Sequence, residues 1–438
     1  MRPILLRGAR VLDPAVGRDE VADLLLEGGL VKGVGRGLGT PDGAQVLDGA
    51  GLVAAPGLVD LHVHLREPGR EDVETIATGA RAAAAGGFTS VCAMPNTDPV
   101  TDNQAAVGFI VRQAGLAGFA RVYPIGAVSV GQKGEQLAEF GELVAAGAVA
   151  VSDDGRAVAT AHLMRTALEY ARTFDIPVID HCEDVTLSHG GAMHEGLTST
   201  RLGLKGIPRS SEDVVVARDI ALASLTGGHV HFAHVSTAGA VAMIREAKSR
   251  GLRVTAEVTP HHFTLTDVAC EGYDTNAKMN PPLREDGDVA MLRAALADGT
   301  IDCIASDHAP HHYDAKEAEF DNAPFGVVGL ETALGLGLAE LVEPGVLTLA
   351  QLVDRMAVRP AAVAHLPGGS LRHGGPADVV VFDPAAEWTV EPARFFSKSR
   401  NTPFAGRRLR GAVRWTIVAG RVVHTMGDRN DAPDRSAR

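Results

Sequence analysis

The sequence has few cysteines and no long apolar run. Four cysteines in 438 residues stand singly, with no CxxC pair, which indicates reduced thiols in a cytoplasmic protein rather than a disulfide framework. No stretch approaches the roughly 18 uninterrupted apolar residues of a membrane span. Residues 1–13 contain no long apolar region before a small-residue cleavage site, so we expect no secretory leader.

Positive charge is also scarce. The formal net charge of −13 argues against a nucleic-acid partner, because such binding relies on clustered Lys and Arg. Hydrophobic residues make up 45% of the chain and charged residues 22%, a composition typical of a globular protein with a large core. A length of 438 residues predicts two or three domains, although a barrel can absorb more than about 250 residues as one unit.

The two ends of the chain read as short strands separated by Gly, Pro and Asp turns. These strands lie at 4–6, 21–26, 46–48, 377–382, 413–418 and 420–424. We therefore predict a small β-sandwich domain formed jointly by residues 1–54 and 366–438, flanking a middle domain of residues 55–365. The polar stretch from Gly427 predicts a frayed end.

In the middle of the chain, apolar strands alternate with alanine-rich helices. The predicted strands lie at 57–61, 89–93, 122–125, 149–152, 177–179, 230–233, 253–257 and 301–306. The predicted helices include 74–85, 136–146, 161–174, 212–225, 238–249 and 287–297. Eight strands alternating with helices indicate an α/β fold with a parallel sheet, and the count suits a closed (β/α)8 TIM-type barrel.

Two histidines, His62 and His64, follow the first of these strands. Side chains alternate along a strand, so both imidazoles can point the same way and hold one metal ion. The pair alone is weak support for a metal site, because either histidine could cap a core strand.

Metal-binding residue types also end later strands. The active sites of such barrels lie at the C-terminal ends of the strands, and this places Asp154, His181, His234 and Asp307 at one rim. Each has an ordinary alternative, since the histidines could belong to the core and the aspartates could cap turns or helices. Their placement at one rim favours a metal site.

The donor types narrow the choice of metal. Imidazole nitrogen and carboxylate oxygen suit Zn²⁺ or Mn²⁺. Four histidines and two aspartates are too many for one open tetrahedral site but enough for two ions about 3.5–4 Å apart. We therefore predict two Zn²⁺ ions per subunit.

Five stretches together are more specific than the single residues. They are residues 60–68 (DLHVHLREP), 305–311 (ASDHAPH, followed by Lys316), 94–97 (MPNT), 278–284 (KMNPPLR) and 323–326 (APFG). With these stretches the chain resembles the amidohydrolase superfamily, and within it the bacterial dihydroorotases of the longer, type I kind. The resemblance covers nearly the whole chain.

The resemblance implies how the metal ligands are shared. The ligands it implies are His62, His64 and Asp307 for one ion, and His181 and His234 for the other, with Asp154 as a carboxylate ligand or bridge. Many relatives, including hydantoinases, carry a carboxylated lysine at the bridging position. Residues 149–154 contain no lysine, so an aspartate would supply the anionic oxygen, as the type I enzymes do. Asp153 and Asp154 face opposite ways on a strand, and family spacing favours Asp154.

The resemblance also implies a substrate site. Arg66, Asn96 and His311 would hold the α-carboxylate of the substrate, with Arg66 giving a bidentate and permanently charged contact. Asn280 would contact the ring or ureido portion. The alternative for Arg66 is a surface salt bridge. The loop at 308–326 is predicted to be a lid over the site.

The activity implied by the resemblance is the reversible cyclisation of N-carbamoyl-L-aspartate to L-dihydroorotate, with release of water, in de novo pyrimidine (UMP) biosynthesis. It implies attack by a metal-bound hydroxide, with Asp307 as general acid and base. The alternatives are another cyclic-amide hydrolase, such as an allantoinase or a dihydropyrimidinase (hydantoinase), and a non-catalytic homologue that scaffolds aspartate carbamoyltransferase. The implied partners are the small-molecule substrate, a second copy in a homodimer, and aspartate carbamoyltransferase.

Overall fold

The computed structural model describes residues 2–427, and the rest of the predicted frayed end lies outside the described residues. In chain order the strands are β1 (Ile4–Asp13), β2 (Arg18–Glu27), β3 (Leu30–Gly35), β4 (Gln45–Asp48), β5 (Val53–Pro56), β6 (Leu58–Val63), β7 (Phe88–Ala93), β8 (Arg121–Ala127), β9 (Ala150–Ser152), β10 (Val178–Asp180), β11 (Met193–His194), β12 (Gly206–Ile207), β13 (Val230–Phe232), β14 (Val254–Val258), β15 (Cys303–Ile304), β16 (Val379–Thr389), β17 (Arg408–Val418) and β18 (Arg421–Thr425).

The α-helices are α1 (Ile76–Ala85), α2 (Gln104–Ala117), α3 (Phe140–Ala146), α4 (Ala161–Thr173), α5 (Val185–Ser188), α6 (Leu197–Leu202), α7 (Ser210–Thr226), α8 (Ala238–Ser249), α9 (Pro260–Thr264), α10 (Asp286–Asp298), α11 (Tyr313–Lys316), α12 (Ala333–Gly337), α13 (Leu349–Val353) and α14 (Arg359–Val363). Among the described residues, no helix is both long and apolar enough to cross a bilayer.

Eight parallel strands form the barrel. Strands β6–β10 and β13–β15 are hydrogen-bonded in chain order, and β6 and β7 are buried along their whole length, as expected for a parallel sheet covered on both faces. The N–H of His64 donates to the carbonyl of His308 over 2.8 Å, so the first strand lies beside the segment that follows the last. The predicted (β/α)8 architecture is confirmed.

The second large sheet joins the N-terminal strands β1–β5 to the C-terminal strands β16–β18. Its strands run in the order β18-β17-β16-β5-β1-β2-β3, with β4 paired to β1. Strand β16 pairs antiparallel with β5, where Val379 lies opposite Pro56. Leu6 and Leu24 share one hydrophobic core with Ile417. The predicted β domain from both chain ends is therefore present as one hydrogen-bonded mixed sheet, while its exact residue boundaries stay a prediction.

One glycine connects the two sheets. Gly57 separates β5 from β6, so the chain passes from the mixed sheet into the barrel within a single residue. A Cβ atom at this position would lie 2.2 Å from the side chain of Thr89. Only glycine allows the backbone at this position to approach β7 this closely.

Candidate active site

The four predicted histidine ligands converge at the mouth of the barrel. The ring centroids of His62 and His64 are 5.3 Å apart, and those of His62 and His234 are 5.0 Å apart. His181 lies against His234, with a centroid distance of 4.7 Å. The four rings come from the ends of three strands, β6, β10 and β13, so the barrel brings together residues that are far apart in sequence.

The carboxylate of Asp154 lies among these imidazoles. Its Oδ1 is 3.3 Å from His62 Nε2, 3.7 Å from His181 Nδ1 and 3.6 Å from His234 Nε2. Its Oδ2 is 3.4 Å from His64 Nε2. One carboxylate therefore faces all four rings, which is the placement that a bridging ligand needs.

The neighbouring aspartate, Asp153, points elsewhere. Its carboxylate accepts a hydrogen bond from the backbone N–H of Ser129 over 3.0 Å and another from the Ser129 hydroxyl. Adjacent side chains at a strand end face opposite ways. Of the two aspartates that the sequence left open, Asp154 faces the histidines.

Asp307 completes the cluster from the segment after the last barrel strand. Its Oδ1 is 3.1 Å from His64 Nε2 and 3.6 Å from His62 Nε2. All six predicted ligands therefore lie in one group, and their side chains are nearly or fully buried.

Two atoms at the centre indicate that this group fits a metal ion. Within the described residues, His62 Nε2 and Asp154 Oδ1 are buried without a hydrogen-bond partner, whereas buried polar atoms are normally satisfied. The donor atoms of His62, His64 and Asp307 lie within 4.8 Å of one another, and so do those of His62, Asp154 and His234. A shared cation would satisfy the two central atoms and use a donor set that zinc favours.

The electrostatics of the cluster also favour a cation. Burial opposes ionisation of Asp154, but His62, His234 and His64 hold the pKa of this carboxyl well below its ordinary value. Burial likewise opposes ionisation of Asp307, and His62 and His64 nevertheless lower its pKa. Against the effect of burial, the two carboxylates raise the pKa of His62. The carboxylates therefore favour a positive charge at the position of His62.

A buried glutamate that the sequence analysis missed orients His62. His62 Nδ1 donates to Glu257 Oε1 over 2.8 Å, and Glu257 Oε2 lies 3.1 Å from His231 Nε2. Burial raises the pKa of Glu257, but its bonds to His231 and His62 outweigh this effect and lower the pKa to about 2. A carboxylate behind an imidazole fixes the tautomer that leaves Nε2 facing the metal position. Glu257 ends the predicted strand 253–257, so its position was the available signal.

Asp60 supports the same region and was also missed as a functional residue. It is fully buried and accepts hydrogen bonds from the N–H of His62 over 3.0 Å and from the N–H of Ser306 over 3.1 Å. Burial raises the pKa of Asp60 to about 7. Asp60 thereby ties the strand of His62 to the segment that carries Asp307. It opens the 60–68 stretch, which was the signal for it.

Three candidate site residues have left-handed backbone conformations. Arg66 has φ 60°, His234 has φ 32° and Asp307 has φ 45°. Such values cost a non-glycine residue about 1–3 kcal/mol and concentrate at functional sites. The surrounding hydrogen bonds hold these residues where their side chains reach the mouth of the barrel.

The four predicted substrate residues line one cavity together with five of the ligands. The cavity has a volume of about 230 Å³. It is lined by His64, Arg66, Asn96, Asp154, Gly155, His181, His234, Asn280, Asp307, Ala309, His311, Phe325 and Gly326. Part of the predicted lid segment, at its two ends, therefore forms a wall of this cavity.

The candidate substrate-binding residues differ in charge and in the hydrogen bonds that they already make. Arg66 Nε donates to the Pro310 carbonyl over 3.2 Å, and burial lowers the pKa of Arg66 to about 10, which leaves it charged at neutral pH. Asn96 Oδ1 is engaged by His64 Nδ1 at 2.9 Å. His311 Nε2 donates to the Phe325 carbonyl over 2.7 Å, and burial and the charge of Arg66 lower the pKa of His311 to about 3.

Asn280 lies on the opposite side of the cavity. Its Nδ2 donates to Glu183 Oε2 over 2.9 Å and lies 3.3 Å from His181 Nε2. Glu183 is itself 3.2 Å from His181 Nε2. Asn280 and Glu183 therefore form a polar group beside His181. Asn280 is thus anchored next to the metal cluster and reaches the cavity from that side.

A separate cluster of potential metal ligands lies outside this site. Asp180, Cys182 and Asp219 lie close enough to share an ion. Arg218 already contacts both carboxylates, at 3.2 Å from Asp180 and 2.7 Å from Asp219. The guanidinium therefore supplies the positive charge that a metal ion would bring.

The sequence of this chain matches a family model over part of its length and is similar to curated proteins over most of its length. A family model described as Dihydro-orotase-like matches residues 51–240. A curated "Dihydroorotase" of Pelobacter propionicus is 57% identical over 421 residues, covering 96% of this chain and 99% of that protein. Another, from Pelotomaculum thermopropionicum, is 58% identical over 426 residues, covering 97% and 99%.

Solved structures show the same fold. The L-hydantoinase (dihydropyrimidinase) from Arthrobacter aurescens is 24% identical, with a TM-score of 0.87 over 97% of this chain and 96% of its own. The dihydropyrimidinase from Brevibacillus agri is 24% identical, with a TM-score of 0.83 over 97% and 95%. At this identity the similarity concerns the fold alone.

Proposed function

Because the chain belongs to the dihydroorotase family of metal-dependent cyclic amidohydrolases, we propose how its residues carry out the reversible cyclisation of N-carbamoyl-L-aspartate to L-dihydroorotate. This reaction belongs to de novo pyrimidine biosynthesis. The observation that carries the proposal is the placement of Asp154 within 3.3–3.7 Å of all four imidazoles. Among the described residues, no lysine lines the cavity, so this aspartate would take the bridging place.

We assign the ligands as the resemblance implies, and the close approach of the His62, His64 and Asp307 donor atoms supports the first group. His62, His64 and Asp307 would hold one ion, and His181 and His234 the other, with Asp154 between them. We propose Zn²⁺ for both positions, and metal analysis of the purified protein tests the identity and number of the ions. When bound, the ions polarise the amide carbonyl and lower the pKa of the attacking water.

Asp307 is the residue proposed to move the proton. In ring opening, water attacks the ring amide carbonyl, and Asp307 accepts the proton of that water and passes it to the leaving ring nitrogen. In ring closure, Asp307 takes the proton from the ureido nitrogen, which attacks the side-chain carboxyl carbon. As the C–N bond forms, one C–O bond of the carboxyl breaks, and the departing oxygen leaves as water after it receives the proton from Asp307 and one from solvent. The lowered pKa of Asp307 keeps its carboxyl ionised at neutral pH, so it carries no proton before the reaction begins.

The substrate's α-carboxylate would lie between Arg66, Asn96 and His311. Arg66 supplies the permanent charge. An anion placed beside His311 would raise its pKa again, so that its second ring nitrogen gains a proton to donate. Asn280 would contact the ring or ureido portion from the side of His181.

The direct test compares turnover of dihydroorotate with turnover of hydantoin and allantoin. We expect dihydroorotate to be the preferred substrate. The charged guanidinium in the cavity can bind its carboxylate, and the neutral rings of hydantoin and allantoin have no carboxylate. The variant R66M should lower kcat/KM for dihydroorotate by about 10²-fold and leave any slow hydantoin turnover nearly unchanged. Preferred turnover of hydantoin or allantoin would overturn the assignment.

The non-catalytic alternative is disfavoured by the cluster itself. A scaffold that has lost activity has no need for six converging ligands, and all six are present in one group. Measurable dihydroorotate turnover by the purified chain would exclude this alternative directly.

The remaining assignments concern place and assembly. We propose a cytoplasmic location, supported by four cysteines that are all free and buried. We also propose a homodimer and an association with aspartate carbamoyltransferase, both from the resemblance to the type I enzymes. Sedimentation of the protein alone, and mixed with that enzyme, tests them against the 45.6 kDa mass of one chain. The boundaries of the two domains at 54/55 and 365/366 belong to the same proposal.

A further inference from the structure

We propose that Asn401, on the segment between β16 and β17, is a positioning residue that fixes the substrate-binding edge of the cavity and thereby sets substrate affinity. The proposal rests on the proposed function, in which His311 contacts the substrate's carboxylate. Asn401 lies outside the barrel strands and outside the cavity lining.

The side chain of Asn401 connects two stretches that are distant from each other in sequence. Its Oδ1 accepts a hydrogen bond from the N–H of His311 over 3.2 Å. Its Nδ2 donates to the carbonyl of Ala309 and to that of Gly326, each over 3.0 Å. All three of these residues line the cavity, so one amide group holds the beginning and the end of the loop that closes this edge.

The backbone of the same residue adds a fourth contact. The carbonyl of Asn401 accepts a hydrogen bond from the N–H of Val328 over 2.9 Å. Asn401 is 5% exposed, so water is not available to replace these bonds. An amide is the one side-chain group that can accept from an N–H and donate to two carbonyls at this position.

The edge that Asn401 holds is tightly packed. Gly326 has φ 132°, and a Cβ atom there would lie 2.8 Å from the Cβ of Ala309 and 3.0 Å from Nε2 of His311. His311 also donates to the carbonyl of Phe325. A shift of either backbone stretch would therefore displace the His311 ring and change the width of the cavity.

This arrangement predicts a specific kinetic effect. Asn401 lies on the side of the carboxylate-binding residues and contacts none of the six ligands. Its loss should weaken substrate binding without removing the proton-transfer group or the metal. We expect the variant N401D, which keeps the acceptor for His311 but loses both donations, to raise KM for dihydroorotate by about tenfold or more, with kcat within about threefold.

The control is S399A. Ser399 is buried on the same segment, and its hydroxyl donates to the carbonyl of Val73 over 3.0 Å. This bond reaches none of the cavity-lining residues, so S399A should lower thermal stability as N401D does but leave KM unchanged. Metal content is measured for both variants. If N401D does not fold, N401S, which keeps one hydroxyl donor, provides the same comparison with S399A.

The outcomes separate this proposal from the proposed function. If the unmodified protein does not turn over dihydroorotate, the proposed function fails. If it does, and N401D (or N401S) changes KM no more than S399A, the positioning role of Asn401 is wrong. A fall in kcat or metal content at unchanged KM also contradicts it, because that pattern indicates a general structural role.

Discussion

Both ring nitrogens of His62 face a buried carboxylate. Its Nδ1 is bonded to the buried Glu257, and its Nε2 faces Asp154. Burial alone would keep an imidazole neutral, yet the neighbouring carboxylates stabilise positive charge there. A metal ion satisfies both requirements, because it brings positive charge and binds the neutral imidazole.

At the same scale, Asp307 is expected to be essential for turnover. The change D307N keeps the shape of the side chain but removes the group that accepts and releases the proton. We expect kcat to fall by at least about 10³-fold while bound metal, measured by elemental analysis, is retained through the other ligands. Near-normal turnover by a metal-loaded D307N protein would remove Asp307 from the proposed mechanism.

Glu257 should act on metal affinity rather than on the chemical step. In E257Q the bond to His62 loses its charge, so His62 becomes a weaker and less firmly oriented ligand. We expect metal affinity to fall by about 10–100-fold, with turnover largely restored at saturating metal. Glu285 lies on the surface beside Arg209, so E285Q is the matched control. An affinity within about threefold of the unmodified protein would contradict the role of Glu257.

Among the elements, the strands were the easiest to predict and the helix boundaries the hardest. All eight barrel strands occur at the predicted places, because a strand buried on both faces is a short apolar run. Helix α3 begins at Phe140, later than predicted, because residues 130–138 form turns and a bridge to Leu137 instead. Helix α2 was not among the helices named from the sequence, although the alternation of strands and helices implies a helix there. Asn103 caps it by accepting from two N–H groups.

The carboxylate of Asp288 connects three helices. It accepts from the Arg209 guanidinium over 2.7 Å and from the N–H of Ala238 over 3.0 Å. These bonds tie the first turns of α7, α8 and α10 together. Burial raises the pKa of Asp288, but the bonds to Arg209 and Ala238 lower it overall.

The change D288N should therefore destabilise the protein by about 1–2 kcal/mol at neutral pH. Because the folded-state pKa lies below the ordinary value of 3.8, the stabilisation by Asp288 is present above that pH and is lost as the pH falls through the folded-state pKa. Thermal unfolding at several pH values should show the difference in Tm narrowing towards low pH. The control is D286N, an exposed aspartate in the same first turn. Equal Tm values for D288N and D286N at pH 7 would contradict this account.

In the whole molecule, the first and the last strand of the described residues, β1 and β18, belong to one sheet. Strand β16 pairs with β5, which leads directly through Gly57 into the first barrel strand and its two histidines. The C-terminal segment also returns to the cavity through Asn401. The mixed sheet is thus connected to the site by covalent continuity at one end and by hydrogen bonds at the other.

Removal of metal should affect the whole molecule as well as the site. A ligand that binds only the folded state adds to its stability, and the buried carboxylates Asp154 and Asp307 would otherwise face one another with less compensating charge. We expect a chelator to abolish turnover and to lower Tm, and Zn²⁺ to restore both. Chelator already saturated with Zn²⁺ is the control. Unchanged turnover and Tm after verified metal removal would show that the cluster does not depend on metal.

The sequence by itself determined the barrel, the types of residue at its mouth and the pairing of the chain ends. These features follow from local patterns, because strand periodicity and apolar content can be recognised from neighbouring residues. Tertiary structure alone decided which aspartate faces the histidines, that Glu257 stands behind His62, and that Asn401 holds the cavity edge. Those contacts join residues up to 195 positions apart, and their geometry depends on how strands and loops pack rather than on any local pattern.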